Sequence, residues 1–306
     1  MSSEGRHPNQ RTTASLPVEL RRVGVPPLVR DWVRRSTGSP VAAVRRLQGA
    51  SSTAVHVVRL DDGRRVALRR YVWPGFMAEE PDAPRREVDA LLFAAASGLP
   101  VPEVVVADAT GSDVGDGVPV LLMSLLPGRA VAEPDLDRLA EAAAAVHAVD
   151  AEGFAHEWFP WYSSTTTGPP AGTVQPALWE AAIEVWHDER PAYEPTFVHR
   201  DLHPGNLLWA RGRLSGIVDW ANACRGPRGC DVAHCRANLR ELAGEAAADQ
   251  FGAAYEAVTG VLHHPYWELA SILEHGPSHW TQRQLAADER RLARAVSAIR
   301  ALPTGG

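Results

Sequence analysis

The hydrophobic positions change period about a third of the way along the chain. Up to Met123 alternation and short apolar blocks predominate, the mark of strands; from Asp135 onward spacings of three to four residues predominate, the mark of helices. The first helix starts at Pro26-Pro27 and ends before Gly38. A strand beginning at Val44 runs into the small-residue turn Gly49-Ala50-Ser51-Ser52-Thr53, and a second strand covers 54–60. Asp61-Asp62-Gly63 is a hairpin turn leading to a third strand over 64–72. A helix over 84–97 carries the apolar stripe Val88, Leu91, Leu92 and Ala95. Strands over 101–106 and 119–123 follow, joined by a Gly/Asp-rich turn, and Pro127-Gly128 takes the chain out of the sheet. Helical patterns then cover 135–149, 177–189, 232–242, 246–259, 265–274 and 282–301, with a long irregular stretch from Phe154 to Pro176 that is a lid, a substrate wall or a surface insertion. The expected fold class is α+β: an antiparallel sheet with one main helix in an N-terminal lobe, then a larger, mostly helical lobe. The expected division is a disordered tail over 1–15, an N-lobe over 16–126 and a C-lobe over 127–306.

One stretch inside the helical part is strand-like and chemically dense. Thr196-Phe197-Val198 leads into His199-Arg200-Asp201-Leu202-His203-Pro204-Gly205-Asn206, which fits the pattern H-R-D-L-x-x-x-N of a kinase catalytic loop at every position. Two short strands joined by Arg211-Gly212-Arg213 follow, ending in Ile217-Val218-Asp219. Phosphoryl transfer needs a carboxylate beside the attacking hydroxyl and hard oxygen ligands for a metal that neutralises phosphate charge. Asp201 is the candidate base; Asn206 and Asp219 are the candidate magnesium ligands. A surface loop can hold any one of these residues by chance, but not readily four motif positions in register followed by a strand-terminal Asp.

The N-terminal strands offer a place for the nucleotide. Short side chains at Ser51, Ser52 and Thr53 let backbone N–H groups approach phosphate oxygens, although Gly-Ala-Ser-Ser-Thr is not a G-x-G-x-x-G loop. The next strand reads Val66-Ala67-Leu68-Arg69, matching V-A-I-K with arginine in place of the phosphate-binding lysine. Strand alternation puts Arg69 on the face of Ala67 and Tyr71, and Glu87, at the edge of the following helix's apolar stripe, is its expected partner. The segment Met123-Ser124-Leu125, where the chain leaves the sheet, is the candidate hinge that reads an adenine edge.

Composition adds two constraints. All 31 basic residues of the 306 are arginine, so any cation that clamps a phosphate here is Arg or metal, and a G-K-[ST] phosphate loop is ruled out. The formal charge of −6 argues against a nucleic-acid binder. The three cysteines, Cys224, Cys230 and Cys235, lack zinc-site spacing and read as thiols in a reducing compartment. The polar N-terminus and the lack of a long apolar run point to a cytoplasmic protein without a membrane partner.

The segments Asp201–Asn206, Ile217-Val218-Asp219-Trp220, Gly229-Cys230-Asp231, Arg86-Glu87 and Leu122-Met123 before Pro127-Gly128 together resemble the aminoglycoside phosphotransferase family, the small-molecule branch of the protein-kinase-like fold. The resemblance spans roughly residues 40 to 275. It implies ATP or GTP as donor, Mg2+, and a small-molecule hydroxyl as acceptor. In that scheme Asp201 is the base, Asn206 and Asp219 are the metal ligands, Arg69 and Glu87 form the phosphate clamp, and His199 braces the loop. Asp219-Trp220-Ala221 replaces D-F-G and nothing resembles an activation loop, so a protein acceptor is not expected. The leading expectation is an antibiotic-like, cationic acceptor. The alternatives are a housekeeping kinase for a choline-, homoserine- or sugar-like metabolite, or a nucleotide-binding module without transfer activity.

Overall fold

A computed structural model describes residues 24–47, 53–131, 133–160, 168–275 and 281–302. The expected turn residues Ser51 and Ser52 lie outside the described residues. Two compact units emerge: one comprises 1–130 together with 207–222, the other 131–206 together with 223–306.

In the first unit, α1 (Pro27–Thr37) precedes a five-stranded antiparallel sheet made of β1 (Val41–Arg46), β2 (Ala54–Leu60), β3 (Arg65–Arg70), β4 (Val104–Asp108) and β5 (Val120–Ser124), in the order β1-β2-β3-β5-β4. The β2–β3 turn forms as its sequence requires: Gly63 takes φ +88°, which only glycine adopts without strain, and Asp62 accepts from the Arg64 amide at 2.9 Å. Strand β3 is covered on both faces, so its alternation sorts two environments. Val66 and Leu68 join Val29, Trp32 and Val33 of α1 in one apolar cluster with Val58, Leu60, Val120 and Leu122. Ala67, Arg69 and Tyr71 face the other way, and Arg69 and Tyr71 both meet Glu87 of α3 (Ala83–Ala96).

A short helix α2 (Pro74–Glu79), which the periodicity does not show, connects β3 to α3. The hairpin β7 (Leu207–Ala210) and β8 (Arg213–Ile217) belongs to this unit, with the Ile217 amide bonded to the Pro100 carbonyl at 2.7 Å. Gly128 is required where the exiting chain passes this hairpin. It has φ +98°, and a Cβ there would lie 2.5 Å from Ser215 Oγ and 2.7 Å from the Trp209 carbonyl oxygen.

The second unit holds α4 (Leu136–His147), α5 (Pro176–Asp188), the two-stranded ladder of β6 (Pro195–Val198) and β9 (Cys224–Pro227), then α6 (Arg228–Ala243), α7 (Glu245–Thr259), α8 (Pro265–His275) and α9 (Gln282–Arg300). Its largest apolar cluster draws Trp179 and Trp186 from α5, Tyr266, Trp267, Leu269 and Leu273 from α8, and Leu285, Leu292, Val296 and Ile299 from α9. α9 starts with a capping box between Thr281 and Gln284.

Two further features differ from the sequence reading. Cys224-Arg225-Gly226-Pro227 is a strand paired with β6 rather than a loop, although its composition has no strand signature. Helix α6 starts at Arg228 rather than Val232, so Asp231 lies in a helical first turn, where the aligned amide dipoles favour a negative charge. Among the described residues no helix is long and apolar enough to cross a membrane.

Candidate active site

The loop that follows β6 is held by one buried carboxylate. Asp231 accepts from the backbone amides of His199 at 2.8 Å and Arg200 at 2.5 Å, and His147 Nε2 lies 3.1 Å from its Oδ2. Tyr255 Oη in turn lies 2.7 Å from His147 Nδ1. Burial alone would raise the Asp231 carboxyl; the His147 hydrogen bond, the nearby histidines and the His199 amide outweigh it and leave the value below the ordinary one. This bracket explains Arg200, a non-glycine residue at φ +65°, a conformation that persists only where surrounding contacts impose it. The sequence leads one to expect His199 to brace the loop. Its Nδ1 does accept from the Asp201 amide at 3.2 Å, but the larger share falls to Asp231, which in sequence shows only as part of a turn.

Asp201 is thereby presented at a fixed place. His234 Nε2, from α6, lies 3.0 Å from its Oδ1, and His203 Nε2 lies 3.8 Å from the same oxygen. Burial works to raise this carboxyl, yet the His234 hydrogen bond and the charges of His203, His234 and His199 hold it far below the usual carboxylate range. The group is therefore an ionised acceptor, the form a hydroxyl must meet to give up its proton. Asn206 donates its Nδ2 to the Asp201 carbonyl at 2.9 Å and to Oδ2 at 3.2 Å. With its nitrogen committed to the loop, the remaining coordinating atom of Asn206 is Oδ1, a hard oxygen of the kind Mg2+ prefers.

The first unit carries a second cluster. Arg69 reaches Glu87 at 3.1 Å, as strand alternation and the helix stripe lead one to expect, and also Asp219 Oδ1 at 2.6 Å. Tyr71 donates its hydroxyl to Glu87. Burial lowers the guanidinium's proton affinity, but Asp219 and Glu87 overcome this and raise it well above its ordinary value. Glu87 is raised by burial, against the pull of Arg69. Asp219 has φ +72°, and its side chain is 35% exposed against 6% for Arg69 and 1% for Glu87, so it is the open end of the cluster. The Arg69 Nε–H has no hydrogen-bond partner among the described residues, a buried donor suited to an incoming phosphate oxygen.

The remaining expected residues lie as follows. Thr53 is buried where β2 begins. Met123 pairs with Ala67 of β3 within β5, and Ser124 ends that strand with its hydroxyl accepting from the Glu103 amide at 2.9 Å; Leu125 follows. Among the described residues no group of three or more His, Cys, Asp or Glu gathers as a metal cage. The cysteines form no disulfide, and burial pushes the Cys230 and Cys235 thiols well above their ordinary range. His234, which in sequence is only a neighbour of those cysteines, is the residue missed: its role depends on α6 packing beside the loop, which spacing does not reveal.

Residues 43–268 match the model of the APH family, described as a phosphotransferase enzyme family. Over 158 residues the chain is 32% identical to a homoserine kinase of Azorhizobium caulinodans, covering 46% of this chain and 48% of that protein. The chain thus spans about half the length of the curated relative it matches. Among solved structures, aminoglycoside phosphotransferase APH(4)-Ia superposes with a TM-score of 0.61 at 18% identity, over 91% of this chain and 99% of that one. A thermostable mutant of the same enzyme, in ternary complex with AMP-PNP and hygromycin B, gives 0.59 at 19% identity over 90% and 99%. At that identity the structural likeness shows the protein-kinase-like α+β fold; the match of most of the chain to the family model shows the family. The chain belongs to the phosphotransferase enzyme family.

Proposed function

We propose that the protein transfers the γ-phosphoryl group of ATP or GTP to a hydroxyl of a small molecule. The observation that carries this reading is Asp201, an ionised and nearly buried carboxylate fixed by Asn206 and His234 in a loop clamped by Asp231. In the reaction the acceptor oxygen forms its bond to the γ-phosphorus as the bond from that phosphorus to the β–γ bridging oxygen breaks. The electron pair leaves with the nucleoside diphosphate, and the hydroxyl proton passes to Asp201. Arg69, held by Glu87, supplies charge to the donor phosphates, with Thr53 and the turn residues Ser51 and Ser52 nearby in sequence. Met123, Ser124 and Leu125 border the base of the nucleotide.

Asn206 through Oδ1 and Asp219 through its carboxylate would hold Mg2+. The donor set fits, because Mg2+ uses one or two protein oxygens and takes its other ligands from phosphates and water. When bound, the ion would neutralise charge building on the transferring phosphate. An acceptor panel of antibiotics, choline and amino alcohols, assayed with ATP and Mg2+, tests this reading. Transfer to at least one hydroxyl, lost in Asp201→Asn, is the expected result; nucleotide binding without transfer to any acceptor would overturn it.

A second reading, a metabolite kinase rather than a resistance enzyme, is favoured by the identity to the A. caulinodans protein, itself called a homoserine kinase.

A further inference from the structure

Asp219 follows closely on β8 in the first unit, and its backbone is unusual. At φ +72° it is left-handed, a conformation that a residue with a side chain keeps only where its surroundings impose it. Arg69 holds the tip of its side chain, a contact that constrains φ only weakly. The firmer constraints fall on the two residues that follow. Trp220 is fully buried and donates its indole N–H to the Ile217 carbonyl at 2.9 Å, across the bend that Asp219 makes. Ala221 is buried in an apolar cluster with Tyr71, Phe76 of α2 and Ala83 of α3. Its carbonyl accepts from the Arg86 Nε–H.

Arg86 is placed for this contact and not for solvent. It lies near the start of α3, beside Glu87, and one step along a helix turns the side chain by about 100°, so the two neighbours address different parts of the unit. Glu87 meets Arg69 and Tyr71, whereas Arg86 meets the segment after Asp219. The Arg86 side chain is 9% exposed, and its Nη2 donates to Glu80 Oε2 at 2.8 Å. Glu80 directly follows α2 and closes that helix with its own amide on the Phe76 carbonyl, at 2.8 Å. Helix α2 and its cap therefore supply both an apolar neighbour for Ala221 and the carboxylate that aims Arg86. The guanidinium spans carboxylate and carbonyl with two donors of one planar fork, which the single ammonium of a lysine cannot reproduce.

We infer that Arg86, aimed by Glu80, is a positioning residue for Asp219. By gripping the Ala221 carbonyl it holds 219–221 in the bend that keeps the Asp219 carboxylate beside Arg69 and open to a divalent cation. Without the grip Asp219 relaxes out of the left-handed region and its carboxylate turns away, so an ion must restore the bend before it gains that ligand. Arg86 itself touches no reacting atom. The inference rests on the reading of Asp219 as a metal ligand only for its effect on metal affinity; the grip on the backbone is tested without metal.

Mn2+ serves as the divalent probe, titrated by calorimetry into the full chain saturated with ADP, and ADP is titrated separately without metal. Arg86→Lys should weaken Mn2+ binding about 10-fold, the scale of what a left-handed non-glycine residue costs, and leave metal-free ADP affinity as in wild type. Glu80→Gln, which still offers an oxygen to Nη2, should weaken Mn2+ binding less than Glu80→Ala does. Hydrogen exchange over 218–222, measured without ligands, should run faster in Arg86→Lys and Glu80→Ala than in wild type. Circular dichroism and a melting curve establish that each variant is folded, and the two Glu80 variants decide the matter if Arg86→Lys is not. Unchanged Mn2+ affinity in a variant that merely melts lower would reduce Arg86 to packing and overturn the inference. An equal fall in metal-free ADP affinity would do the same, by placing the effect in the nucleotide cradle. Asp219→Asn is the reference: if it binds Mn2+ as wild type does, the metal-ligand reading fails. The exchange rates then decide the grip alone, and unchanged rates would overturn it.

Discussion

The two units hold their functional carboxylates by opposite means. In the first, Glu87 and Asp219 are tied to one arginine, and the cluster is a cation shared by two anions. In the second, Asp201 and Asp231 have no arginine side chain as a partner among the contacts described above; histidine rings, an asparagine amide and backbone N–H groups hold them. A shared cation can exchange one carboxylate for a phosphate oxygen and keep its charge balanced, which suits a place where a nucleotide enters and leaves. Directed hydrogen bonds fix an oxygen in position and ionisation state, which suits a base. Under the proposed function, unit one suits replacement of a partner and unit two constancy of one.

Breaking the constant side should have the largest effect. Asp201→Asn keeps the shape of the loop but removes the proton acceptor; kcat should fall by about 10²–10⁴-fold, with nucleotide affinity nearly unchanged. Asp231→Ala strands His147 and the amides of His199 and Arg200 in the interior; urea unfolding should show a loss of about 3–5 kcal/mol. A stability loss well under 1 kcal/mol would mean that Asp231 does not hold the loop.

The pH dependence follows next. Glu268, buried among Arg236, Arg240 and His263, has its carboxyl depressed from 4.5 to about 2, where burial alone would have raised it. A depressed acid contributes stability above its unfolded value and loses it as pH falls through the folded one. About 3 kcal/mol should therefore disappear between pH 4.5 and 2, and Glu268→Gln should flatten that part of the curve. Glu87 has the opposite sign, being raised by burial, so Glu87→Gln should leave the acid limb as steep as before.

The mildest change sharpens the first unit's role. Arg69→Lys keeps the charge and loses the planar fork that can meet two carboxylates. The KM for nucleotide should rise roughly fivefold while kcat changes less, a difference of about 1 kcal/mol. An equal fall in kcat with unchanged KM would place Arg69 in the chemical step instead.

How much of this was legible in the sequence depended on whether a residue's role was local. The contacts within the 199–206 loop could be read because those residues lie within eight positions of one another, and the Arg69–Glu87 pair because strand and helix periods each give a direction. Asp219 as a second partner of Arg69 lies 150 positions away, and no period links them. Asp231 and His234 were hidden for the same reason: helix α6 gives them meaning only by packing against the β6 loop. Strand β9 escaped because Cys-Arg-Gly-Pro shows no alternation of apolar and polar side chains; its place comes from pairing with β6, Pro227 lying opposite Pro195.

The most direct measurement is transfer of label from γ-³²P-ATP to a hydroxyl acceptor by wild type and Asp201→Asn side by side, with nucleotide affinity read on both. Label on the acceptor with wild type, near-complete loss in the variant and matched nucleotide affinity are the predicted result. Undiminished transfer by Asp201→Asn would contradict the assignment of that carboxylate as the base.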